Sequence, residues 1–491
     1  MNSKIVELQP AQLWHYFNEI LQVPRPSKRE EKIVEYLLAF GKQNNLETVQ
    51  DEIGNVLIRK PATKGYEGLK FVVLQSHIDM VCEKNSDIDH DFDNDPIHAY
   101  IEDGWIKAKG TTLGADDGIG VAAQLALLVS DDIEHGPVEC LFTIDEETGL
   151  TGAFGLKPGF LNSDILLNLD SEDEGELFIG CAGGKDTIIS IPYNKVEVDS
   201  GFSYFKIQVS GLSGGHSGDD IQKGKGNANK LLNRMLWSSS NDFGMRLAEF
   251  DGGNLRNAIA REAFAVVGIP VSFESGFKNF VIGYNNIVRS EYKVTEPYME
   301  VSISSADKPA SFIDLISQKK LLDSLYACPH GVIAWSADIP NFVETSTNLA
   351  SVKTFENEIV VTTSQRSSVE SAKEDICNMV ASVFRLTGAK IKHTDGYPGW
   401  KPNASSEVVK ITKMAYEKLF KVEPKVLAIH AGLECGLIGD TYPNMDMISF
   451  GPTIKGAHSP DERLNIETVQ KFWDLTIDVL KNIPIRKDAN L

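Results

Sequence analysis

No apolar run in this 491-residue chain reaches the roughly 18 residues that a membrane-spanning helix needs, which excludes a helical span. Positive charge is in deficit: 48 Lys and Arg stand against 69 Asp and Glu. The resulting formal charge of −21 argues against nucleic acid or an acidic membrane surface as a partner. The six cysteines (Cys82, Cys140, Cys181, Cys328, Cys377 and Cys435) are scattered, with no CxxC pair and no framework spacing. That pattern argues against a disulfide scaffold and fits buried thiols in a reducing compartment. The start, MNSKIVELQPAQLWHYF, lacks an apolar core followed by a small-residue cleavage site, so no signal peptide is expected and a cytoplasmic location is. Internal repeats and low-complexity linkers are missing too. What is present is a globular composition, 42% hydrophobic and 24% charged, in a chain too long for one ordinary core. Two domains are expected.

The chain opens with helical patterns, PAQLWHYFNEILQ and SKREEKIVEYLLAFGKQ. Ser27, three residues before Glu30, suggests a capping box on the second. Strand-like runs NVLIRK, KFVVLQ, VECLFT and DILLNLD alternate with the buried-helix pattern DDGIGVAAQLALLVS, which predicts an α/β domain with a mostly parallel sheet. Beyond Gly183–Gly184 the character changes. Alternating strands FSYFKIQVSG, EAFAVVGIPVSF, YMEVSISS and EIVVTTSQ are separated by helical stretches, as in an α+β domain with a half-exposed antiparallel sheet. From about Lys390 the first style returns. The simplest organisation is one α/β domain in two parts, 1–184 and 389–491, interrupted by an inserted α+β domain at 185–388.

Five segments share one feature: an apolar run ends in a histidine or carboxylate, or a glycine-rich loop presents one. They are VVLQSHIDM, GTTLGADDGIG, TIDEETG, LLNLDSEDEG and GAHSPDERL. In open α/β sheets ligands bind beyond the carboxyl ends of the strands, where such residues gather. Singly, each has a plainer reading. His77 suits a core histidine with Asp79 as a surface charge, and Asp117 suits a helix N-cap. The adjacent Glu146 and Glu147 suit a solvated loop, and His458 an exposed histidine. The pair Glu146–Glu147 can act at one spot only where the strand has ended and the backbone bends, because a strand sends neighbouring side chains to opposite faces. Together the segments offer the mixed nitrogen and oxygen donors that suit zinc, manganese or cobalt, and no thiolate.

In this order the segments resemble the metallopeptidase family of aminoacylases, desuccinylases and dipeptidases that use two metal ions. The dipeptidase branch is the nearer match, through GLSGGHSGDDI, NLRNAIAREAFA, GYPGWKPNA and IHAGLECGL among others. The likeness fades between about Pro270 and Leu325. The resemblance implies a zinc-peptidase-like catalytic domain whose insertion acts as a lid. It implies one ion on His77, Asp116 and Asp170 and a second on Asp116, Glu147 and His458, zinc foremost with manganese or cobalt as alternatives. A cis peptide at Asp116–Asp117 goes with the bridging role. Relatives carry asparagine after the bridging aspartate where this chain has Asp117, a side chain that is not a ligand in the pattern. Glu146 becomes the general base and Asp79 the group that orients His77. His216 matches a histidine that stabilises the oxyanion. Arg256 and Asn257 look like a grip on the substrate carboxylate, for which the plainer reading of the arginine is a surface salt bridge. Glu434 would meet the substrate amine, and His430 would be a local hydrogen-bonding residue.

The expected activity is therefore metal-dependent hydrolysis of small unblocked dipeptides of Xaa-His type, including β-alanyl-histidine. Neither nucleic acid nor membrane is an expected partner. Dimers joined through the lid are common in that family, so a homodimer is an expected assembly. A deacylase or desuccinylase of N-acyl amino acids is the alternative with the same chemistry. A catalytically silent binding relative predicts a damaged ligand set, and none is damaged here.

Overall fold

The structure, a computed structural model, describes residues 4–403 and 405–486. Ala404 at the end of GYPGWKPNA, and the outermost residues of both expected catalytic segments, lie outside the described residues. The chain divides into two units. One comprises Met1–Gly180, Trp400–Ala428 and Leu433–Leu491; the other comprises Cys181–Gly399 with Ile429–Gly432. The second unit runs somewhat beyond both ends of the 185–388 insertion expected from the sequence.

The first unit is built on an eight-stranded sheet. Its order is Glu47–Gln50, Val56–Lys60, Val138–Thr143, Val72–His77, Ile165–Asn168, Asp446–Ser449, Glu176–Cys181, Lys425–Ile429. The four central strands run parallel, whereas Glu47–Gln50 with Val56–Lys60, Val56–Lys60 with Val138–Thr143, and Asp446–Ser449 with Glu176–Cys181 pair antiparallel. Every residue of Val72–His77 and Val138–Thr143 is buried, as a sheet covered on both faces requires. The helix Ala115–Val129 is apolar nearly all round for the same reason and packs against Val72–His77 and the helix Ala11–Ile20. Register then fixes the site: His77 pairs with Thr143, and Gln75 pairs with Asn168. The ends of three parallel strands, with the residues just beyond them, share one edge of the sheet.

One local expectation fails. The second helix begins at Glu31, and neither Ser27 nor Glu30 caps it through a side chain. Ser27 Oγ instead donates to Asp79 Oδ2 at 2.7 Å, and Glu30 Oε1 accepts from the main-chain N–H of Asp145 at 3.1 Å. Tertiary partners have taken the groups a capping box would use.

The second unit holds a nine-stranded antiparallel sheet with helices Ala228–Asp242, Glu274–Glu291, Leu315–Ala327 and Glu370–Arg385. Phe205, Ile207 and Val209 alternate along Phe202–Ser210 and face the core, where they join Phe250 and Phe277. Among the described residues no two cysteines form a disulfide, and no helix is long and apolar enough to cross a membrane.

Candidate metal centre

The stretch TIDEETG bends where the chemistry needs it to. The strand ends at Thr143, Asp145 turns into the left-handed region at φ 48°, and a short helix spans Glu146–Gly149. Aspartate tolerates that conformation better than most side chains. Here Thr148 and Thr151 donate their hydroxyls to its carboxylate. Glu146 and Glu147 follow on the inside of the bend, both within reach of His77.

Donor atoms of His77, Asp116 and Asp170 lie within 4.8 Å of one another, and so do those of Asp116, Glu147 and His458. Asp116 belongs to both groups. Its Oδ1 is 3.0 Å from His77 Nε2, and its Oδ2 is 3.1 Å from His458 Nε2. Asp170 Oδ1 is 3.5 Å from His77 Nε2, and Glu147 Oε2 is 3.1 Å from His458 Nε2. The Asp116–Asp117 peptide is cis. Asp117 turns away as an N-cap, its Oδ1 accepting from the main-chain N–H of Gly120 at 3.2 Å.

Asp79 organises this edge. Buried completely, it faces His77 Nδ1 at 3.2 Å and accepts from the N–H groups of Glu146 at 3.0 Å and Glu147 at 3.3 Å. Burial pushes its carboxyl up, but the hydrogen bonds from His77, Ser27 and Glu146 outweigh that and hold it below its ordinary value. A proton on Nδ1 leaves the His77 Nε2 lone pair aimed at Asp116 and Asp170. Replacing Asp79 by asparagine turns one of its two acceptor oxygens into an NH2 donor, so it can no longer hold the imidazole, the Ser27 hydroxyl and both glutamate N–H groups together. The expected result is a 10- to 100-fold loss of metal affinity, measured by competition with a chelating indicator.

Do these donors suit cations? Carboxylates outnumber imidazoles in a largely buried space. Burial, joined by the nearby Asp116 carboxylate, raises Asp170 to about 7 despite the pull of His77. Glu146 is raised well above its usual range by burial and by Asp170, Glu434 and Glu147, against the opposing pull of His77. Hydrogen bonds to Asp116 and Glu147 lift His458 to about 11 despite partial burial. Glu147 Oε1 is buried and has no hydrogen-bond partner among the described residues. A cluster with surplus negative charge, an orphan oxygen and neutral-capable imidazoles fits divalent cations.

Glu434 lies in the same unit but at 0% exposure, deeper than a residue expected to meet a substrate amine. Its Oε2 accepts from Gln75 Nε2 at 2.5 Å and Thr143 Oγ1 at 2.8 Å, whereas Oε1 has no partner. Burial lifts its carboxyl to about 8.

The other expected residues belong to the second unit. Its glycine-rich loop holds His216 with Nδ1 accepting from the N–H of Asp219 at 3.2 Å, and the N–H of His216 donates to Asp220 at 2.8 Å. His216 and Asn257 line a cavity of about 610 Å³. Arg256 has a side chain 73% exposed and pairs at 3.3 Å with the largely buried Asp186. His430 is a local partner of Ser346, at 2.7 Å. The guanidinium beside His216 is that of Arg366, at 3.4 Å, which also donates to Tyr397 Oη at 3.0 Å and leaves Nε unpartnered. Such a buried cation suits an anionic group. Sequence reading passed over Arg366 because TTSQRSS reads only as the end of a strand.

A family model described as Peptidase family M20/M25/M40 matches residues 73–482. Over 484 residues, 99% of this chain and 100% of the other, the sequence is 44% identical to the cytosol non-specific dipeptidase of Escherichia coli (strain K12). Among solved structures, the aminoacylhistidine dipeptidase from Vibrio alginolyticus is similar at a TM-score of 0.93, with 46% identity over 99% of each chain. Aminopeptidase PepT from Bacillus cereus shares the fold at a TM-score of 0.57 and 17% identity, over 97% of this chain and 99% of that one. A family match across most of the chain and an end-to-end relative agree, and the chain belongs to peptidase family M20/M25/M40.

Proposed function

We infer that the chain is a metallo-dipeptidase that hydrolyses small unblocked dipeptides, Xaa-His among them, in the cytosol. The observation that carries this reading is the sharing of Asp116 between two donor groups with Glu146 beside them, in a chain that aligns end to end with a dipeptidase. His77, Asp116 and Asp170 would hold one divalent ion and Asp116, Glu147 and His458 the other, with zinc the first expectation and manganese or cobalt compatible with the same donors. When bound there, such ions would supply Lewis acidity toward a carbonyl oxygen and lower the pKa of a nearby water, which reaches about 7 on a single catalytic zinc.

The chain's own residues do the rest. Glu146 is free of both donor groups that share Asp116, so its carboxylate can take a proton from the attacking water and hand it to the leaving amine nitrogen. Glu147 cannot serve, because its Oε2 is committed to the His458 side of the site. Asp79 keeps the two glutamates in this division by holding both of their N–H groups.

Dialysis against a chelator should reduce hydrolysis of a dipeptide panel to background, and zinc, manganese or cobalt should restore it. The same panel should include N-acyl amino acids. Turnover of the acylated set alone would replace this reading with a deacylase, and full activity after chelation would remove the metal chemistry.

A further inference from the structure

Two fully buried charged side chains lie next to the metal centre without joining it. Glu462 is 2% exposed, and its carboxylate accepts from four consecutive main-chain N–H groups. Oε2 takes Leu113 at 2.7 Å and Gly114 at 3.0 Å; Oε1 takes Ala115 at 2.7 Å and Asp116 at 3.4 Å. Arg25, also 2% exposed, gives its guanidinium only to main-chain carbonyls: Ile78 at 3.1 Å, Asp79 at 2.7 Å, and Gly114. Among the described residues neither side chain forms a side-chain salt bridge. Both are spent on backbone.

We propose that Glu462 and Arg25 are positioning residues that set the spacing of the two donor groups by gripping the Leu113–Asp116 segment, one through its N–H groups and the other through a carbonyl. This rests on the metal-centre reading above. Each contact joins segments that carry different donors. Arg25 ties Gly114, two residues before Asp116, to the two residues that follow His77. Glu462 ties the same segment to the loop that carries His458 four residues earlier, and its own N–H donates to Ser459 O at 3.0 Å within that loop. His77, Asp116 and His458 are thereby held in one frame.

Chemistry explains why ionised groups are used. A carboxylate has lone pairs enough for four N–H donors, and a guanidinium has donors enough for three carbonyls in a fixed fork. A glutamine at 462 would turn an NH2 group toward N–H donors and leave buried amides unpaired. The glycines of LGADDG follow from the same contact. A Cβ on Gly114 would sit 2.6 Å from Arg25 Nη2, and one on Gly118 would sit 2.7 Å from it. Gly114 also has φ 69°, which glycine alone adopts freely.

The test is titration of the metal-free full chain with Mn2+, followed by calorimetry and by electron paramagnetic resonance. Wild type should take two equivalents and show the signal of a spin-coupled pair. Glu462→Gln should weaken the second equivalent by about 10- to 100-fold and give the signal of isolated ions. Glu139→Gln is the control for a merely structural carboxylate. Glu139 is buried too, and accepts from Arg59 at 2.9 Å and Asn162 at 2.8 Å. That variant should lower the melting temperature and leave both affinities and the coupled signal intact. If Glu462→Gln does not fold, Arg25→Lys carries the test with the same expectation, since an ammonium keeps the charge but cannot span both segments. Wild-type affinities and a coupled signal in the folded positioning variant, or an equal loss in Glu139→Gln, would overturn the proposal. A wild-type chain that binds fewer than two Mn2+ would remove the metal centre beneath it.

Discussion

Glu146→Gln lowers kcat by about 100- to 10,000-fold and leaves the bound metal at the wild-type level. Glutamine keeps the volume of the side chain and the main-chain N–H that Asp79 holds at 3.0 Å, so the turn after the central strand survives. What disappears is the capacity to take a proton. Glu146 has that capacity because it stands outside both donor groups that share Asp116. Steady-state kinetics on a dipeptide, with elemental analysis of the same sample, separates the two effects. A variant within tenfold of wild type would show that some other group carries the proton. A variant that loses metal would show Glu146 to be a ligand.

Asp116→Ala has the larger structural consequence. Asp116 is the donor common to the His77/Asp170 group and the Glu147/His458 group, with one oxygen by His77 and the other by His458. Removing it therefore empties both positions, and elemental analysis should find almost no bound metal and activity at background. Asp170→Ala and His458→Ala serve as comparisons, and each should cost about one equivalent. Retention of two equivalents by Asp116→Ala would mean that the two donor groups are independent.

His77, the Glu146–Glu147 pair and Asp170 were legible because each follows the end of a buried apolar run, and Asp116 and His458 because glycine-bearing loops present them. VVLQSH, VECLFT and ILLN are continuous buried strands, and the residue types that follow them are out of place unless something binds there. Parallel register turned that linear hint into one edge of a sheet. Where local rules met tertiary competition, reading failed: Ser27 and Glu30 fit a capping box, but Asp79 and the N–H of Asp145 claimed them. Arg25 and Glu462 carried no signal at all. In VPRPSKRE and SPDERL they look like ordinary solvated charges, and only main-chain groups distant in sequence bring them inside. Arg256 was legible through its motif and has an exposed side chain paired with Asp186, whereas Arg366, in no recognised motif, is the one beside His216.

The second unit shows the same divide. The helix Glu274–Glu291 went unread in the stretch with no recognised likeness, although Phe277, Val281, Tyr284 and Val288 bury at helical spacing. Gly276 and Gly283 weaken the pattern. The strand Val343–Thr354 hid for the opposite reason. Its Thr345, Ser346, Thr347 and Asn348 are buried although polar, and they find partners in place: Thr345 meets Ser367 Oγ at 2.9 Å, Ser346 meets His430 Nε2 at 2.7 Å, and the Asn348 amide N–H donates to Ala258 O at 2.8 Å. A polar run of that kind reads as a loop until its partners are known.

Crystals of the full chain grown with zinc, with diffraction recorded at the zinc absorption edge, test the central claim most directly. Two anomalous peaks are expected, one contacted by His77, Asp116 and Asp170 and the other by Asp116, Glu147 and His458, with Glu146 touching neither as a ligand. A single peak, or peaks held by other side chains, would contradict it.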